Sequence, residues 1–110
     1  MTASWSPWAP FPDPREGGYL VAPFGPGCYE LRIGDQLLLF GGAGNVAQRM
    51  SSLLPEPWGC GRRNNMRKRQ AVFDNLGVVE YRTLACDNRA AAALEEAKMR
   101  ARKAEYLFGT

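Results

Sequence analysis

Residues 62–69 read RRNNMRKR, in which Arg62, Arg63, Arg67, Lys68 and Arg69 supply five cations with no acid among them. Residues 98–103 (KMRARK) add four more, whereas the first 48 residues carry only Arg15 and Arg32. Cations gathered within about one Debye length, roughly 8–10 Å, grip a polyanion through several phosphates at once. A solvated helix face has the same composition, so the pattern alone leaves both readings open. Lys and Arg total 14 against 11 acids, a net charge of +3, and it is the clustering rather than the sum that points to phosphate.

The remaining residue types narrow the chemistry. There is no histidine, so a general base would have to be a carboxylate, Tyr, Lys, Arg or a metal-bound water. Cys28, Cys60 and Cys86 are odd in number and lack CxxC spacing, which argues against zinc and for reduced thiols in the cytoplasm. No apolar run approaches the roughly 20 residues that span a bilayer, and the start of the chain lacks the basic-then-apolar order of a signal peptide.

The elements that must position any site follow from patterning. At 110 residues and 45 % hydrophobic content there is room for one core. Residues 1–26 hold Pro7, Pro10, Pro12, Pro14, Pro23 and Pro26 with Trp5, Trp8, Phe11, Tyr19 and Phe24. That composition excludes a long helix and predicts an extended arm docked on a domain of residues 27–110.

Tyr29, Leu31 and Ile33 alternate with Glu30 and Arg32 ahead of Gly34-Asp35 and the apolar run 36–40, which predicts a β-hairpin. Asn45 caps a helix whose stripe is Val46, Met50 and Leu53/Leu54. Asn64 or Asn65 starts a second helix through about Asn75, and residues 78–84 form a third strand. Asp87 or Asn88 caps a final helix with a stripe of Ala91, Leu94, Ala97 and Ala101. The expected fold is α+β: a short antiparallel three-stranded sheet with about three helices, ordered β-β-α-α-β-α.

This order, with the words it carries, resembles the GIY-YIG nuclease family. Pro26-Gly27-Cys28-Tyr29 matches the opening Gly-hydrophobic-Tyr strand, and Leu39-Phe40-Gly41 stands in the register of the Tyr-hydrophobic-Gly strand. Arg49 lies eight residues past Gly41, Leu94-Glu95 matches the late Leu-Glu pair, and Tyr106 matches the closing aromatic. The likeness spans residues 26–106. Leu39 replaces the second Tyr, Gly42 stands where Lys is frequent, and Leu107 follows Tyr106 in place of Asn.

The resemblance implies a small stand-alone endonuclease of bacterial or phage type that hydrolyses DNA phosphodiesters, with RNA the other polyanion to consider. Tyr29 would activate water, Arg49 would pair with the non-bridging oxygens, and Glu95 would hold Mg²⁺ or Mn²⁺. Arg62, Arg63, Asn64, Asn65, Arg67, Lys68 and Arg69 would grip the substrate backbone. The alternative is a catalytically degenerate nucleic-acid-binding module on the same fold. Each residue also has a structural reading: Tyr29 as a core aromatic, Arg49 as a solvated surface cation, and the two glutamates as ordinary helix-surface charges, with Glu96 and Arg100 an i,i+4 pair.

Overall fold

The computed structural model describes residues 4–54 and 66–109. Among them the elements run β1 (Ala9–Pro10), β2 (Gly27–Ile33), β3 (Gln36–Ala43), α1 (Val46–Ser51), α2 (Met66–Asp74), β4 (Val79–Ala85), α3 (Arg89–Arg100) and β5 (Tyr106–Phe108), with single 3₁₀ turns at Pro14–Glu16 and Lys103–Glu105. The class is α+β. The sheet differs from the three antiparallel strands expected: it has five, in the order β1-β4-β2-β3-β5, and β5 runs parallel to β3. The element order thus gains a strand at each end. Both additions are only two or three residues long, too short to leave a period in the sequence.

The hairpin forms because Gly34, at φ +59°, takes the left-handed backbone of a two-residue turn, fixing the register Ile33↔Gln36. Alternation then sorts the side chains of β2. Tyr29 and Leu31 join Leu39, Val46, Met50, Leu53 and Val72 in one buried cluster beneath α1 and α2. Cys28 joins Phe40, Leu84, Met99 and Tyr106 on the other face, beneath α3, where its thiol donates to Ala92 O at 3.3 Å. Asn45 caps α1, accepting from Gln48 N–H, and Asn88 caps α3, accepting from Ala91 N–H. On α3 the buried residues are Ala92 and Met99, and Leu94 is 68 % exposed. The stripe expected at 91, 94, 97 and 101 is therefore rotated, because in an alanine-rich helix several stripes are equally apolar and the docking surface chooses among them.

Among the described residues Glu30 is the buried charge in the interior, beside the buried hydroxyls of Ser52 and Thr83. It is 1 % exposed on the face opposite Tyr29, paired with Arg82 on β4 and accepting the Tyr106 hydroxyl on β5 at 2.6 Å. Arg82 in turn stacks on Trp5 and Trp8, 4.7 Å from each ring centroid, and Arg32 lies 4.2 Å over Trp8 while bonding Glu80. The arm is further tied along β4 by Ser6 N–H to Thr83 O and Phe11 N–H to Val79 O.

Removing one partner of a buried ion pair leaves a charge unpaired, so Arg82→Ala is expected to lower the unfolding free energy by about 3 kcal/mol. Tyr106→Phe should cost roughly 1–3 kcal/mol. Urea titrations read both, and a loss under about 1 kcal/mol for Arg82→Ala would show that the pair does not hold the sheet. Burial, reinforced by the neighbouring Cys86, Glu96 and Glu95, pushes the Cys28 thiol up to about 12. The folded state thus keeps a proton that the unfolded chain releases near pH 9. Its contribution to stability is complete below that pH and is lost as pH rises from 9 to 12. Unfolding free energy measured across that window should fall less steeply in Cys28→Ala than in the wild type.

Candidate functional site

Tyr29 is 2 % exposed. Its ring crosses from β2 over the facing residue of β3, Gly41, and a Cβ at Gly41 would fall on the phenol oxygen. The glycine therefore sets where the hydroxyl sits. Leu39, the residue in the second motif position, is completely buried in the same cluster. It fills the core and brings no hydroxyl to Tyr29.

An acid from α3 approaches from the opposite face, so it can meet Tyr29 only around a strand edge. β5 pairs with Leu37 and Leu39 of β3 and goes no further, so among the described residues no strand pairs with that edge from Gly41 onward. There Gly42 N–H donates to Glu96 Oε2 at 3.0 Å, and Arg100 Nη2 lies 3.4 Å from the same oxygen. Glu96 Oε1 accepts no hydrogen bond among the described residues. Glu95 does not reach this edge; its Oε1 accepts from Lys98 Nζ at 3.0 Å, and its charge helps raise the Cys86 thiol after burial has done so. Tyr29 and Glu96 thus arrive at consecutive residues of β3 from opposite sides of the sheet. Glu95 is rooted on the face away from Tyr29 and is not brought to it.

Arg49 lies on the exposed side of α1, the helix that covers the Tyr29 face. Of the basic segment, Arg62, Arg63, Asn64 and Asn65 fall outside the described residues. Arg69 donates from Nε and Nη2 to Leu54 O at 3.2 and 2.9 Å, so its guanidinium joins α2 to the chain just after α1. Arg67 is exposed, with its guanidinium 5.9 Å from the Phe108 ring; Phe108 pairs with Leu39, two residues before Gly41. Lys68 is half-buried.

The structure adds a cation that the sequence reading passed over. Arg89 lies across Gly44, where a Cβ would stand 2.6 Å from its Nε. With Gly42, Ala92, Ala93 and Glu96 it lines a hollow of about 170 Å³ between β3 and α3. Positions 89, 92, 93 and 96 follow the i, i+3, i+4, i+7 spacing of one helix face. Charged ends with two alanines between them were the available signal for a small polar hollow. Among the described residues no three carboxylates or thiols gather as a metal cage. A single carboxylate with one uncommitted oxygen still suits Mg²⁺, which retains several waters and takes its other ligands from substrate phosphate.

Placing a methyl at Gly41 must displace a buried phenol, so Gly41→Ala is expected to destabilise by about 1–3 kcal/mol. At Gly42 the atoms nearest the added carbon belong to the flexible side chain of Glu96, the first at 3.2 Å, and the change should cost less than about 1 kcal/mol. Thermal unfolding of the two variants checks the placement of Tyr29; equal losses would contradict it. No protein-family model, curated protein or solved structure matches the chain.

Proposed function

We propose that this chain is a metal-dependent nuclease of the GIY-YIG type, acting on DNA phosphodiesters at the outer edge of β3 beside Gly41 and Gly42, with Glu96 as its working carboxylate. The observation that carries the reading is the approach of the Tyr29 hydroxyl and the Glu96 carboxylate to consecutive residues of β3, Gly41 and Gly42, from the two faces of the sheet. A phosphodiester needs an activated water and charge stabilisation on its phosphoryl oxygens. Tyr29 would orient or deprotonate the water. Glu96 Oε1 is the oxygen that would hold the ion, and Mg²⁺ or Mn²⁺ bound there would neutralise developing negative charge on the phosphate. Arg67, beside Phe108, and the other cations of its segment would track the substrate backbone. This reading puts the chain where nucleic acid and reduced thiols coexist, the cytoplasm.

A second reading, binding without turnover, is favoured by Tyr29 and Leu39 both being buried, which restricts water at the phenol and removes the second hydroxyl. The two part in one assay: relaxation of supercoiled plasmid in Mg²⁺ or Mn²⁺. The nuclease reading expects nicking that falls about 10²-fold or more in Glu96→Gln and stays within a few fold of wild type in Glu95→Gln. Loss in Glu95→Gln alone would discard Glu96. Salt-sensitive binding with no metal-dependent nicking would establish the second reading, and neither activity would sink both.

A further inference from the structure

Every other described arginine is engaged. Arg15, Arg32, Arg82, Arg100 and Arg102 each pair with a carboxylate, Arg69 bonds a carbonyl, and Arg49 and Arg67 have contacts as well. Arg89 makes no hydrogen bond or ion pair among the described residues, although Glu95 and Glu96 lie on its own helix. It is instead laid over the backbone at Gly44, where the missing side chain gives it room, on the wall of the 170 Å³ hollow. The hollow's only acid, Glu96, is offset by Arg100 and by the Gly42 amide. Its uncompensated charge is therefore one guanidinium, a planar fork that matches the oxygens of a phosphate.

We infer that Arg89 is a phosphate-binding residue: it holds a phosphodiester oxyanion of the nucleic acid in the hollow between Gly44 and α3. This rests on the proposed nucleic-acid function and adds to it a contact outside the residues of the family resemblance. The small lining at Gly42, Gly44, Ala92 and Ala93 lets the backbone of a polynucleotide come close, and none of these four offers a polar side chain to a base edge, so the recognition is of phosphate and indifferent to sequence. Guanidinium and phosphate are both ionised at neutral pH, so binding requires no proton transfer.

The test is fluorescence anisotropy of a labelled DNA duplex in EDTA, which prevents turnover, over a range of NaCl concentrations. Arg89→Ala is expected to lower the magnitude of the log–log salt slope by about 0.9, one phosphate contact, and Arg89→Lys to keep that slope while binding more weakly. Circular dichroism confirms that the variants are folded. In parallel, inorganic phosphate should shift the Gly44 amide resonance in the wild type and not in Arg89→Ala. A wild-type protein that binds DNA with a slope unchanged in Arg89→Ala overturns this inference and leaves the proposed function standing. A wild type with no salt-dependent binding and no phosphate shift at Gly44 overturns both.

Discussion

A carboxylate shut inside a small sheet has to be neutralised, and the fold is arranged around that requirement. Glu30 sits on β2, in the middle of the strand order, and its two oxygens are met from different directions by Arg82 of β4 and Tyr106 of β5. An unpaired charge at that depth would cost several kcal/mol, on the order of the stability of a domain this size. The pair therefore obliges the C-terminal strand to dock. It also recruits the arm, because the face of the Arg82 guanidinium is covered by Trp5 and Trp8. One ion pair thus links the first residues described to nearly the last.

The position of β5 has a consequence at the other end of β3. To bring Tyr106 to Glu30, β5 lies beside Leu37 and Leu39, so among the described residues Gly41, Gly42 and Ala43 pair with β2 alone. Gly41 and Gly42 stand on that stretch, and lacking side chains they let two groups reach them from opposite faces: the Tyr29 phenol across one and the Glu96 carboxylate onto the other. Stability chemistry at one end of the strand and candidate phosphate chemistry at the other are joined by the length of β5. Arg89 and Glu96 share one face of α3, so the alanines between them shape the hollow that both line.

Sequence by itself determined the local elements. The alternation from Tyr29 to Ile33, the Gly34-Asp35 turn and the Asn45 and Asn88 caps specify hairpin and helices because each signal lies within a few residues of the structure it controls. What only the tertiary structure decided was everything set by long-range pairing. Glu95 and Glu96 are adjacent letters pointing about 100° apart on a helix, and an alanine-rich stripe cannot say which of them meets the sheet; docking of Ala92 and Met99 chose Glu96. The short strands β1 and β5 and the burial of Glu30 arise from contacts between residues 50 or more positions apart, for which a linear pattern has no signature.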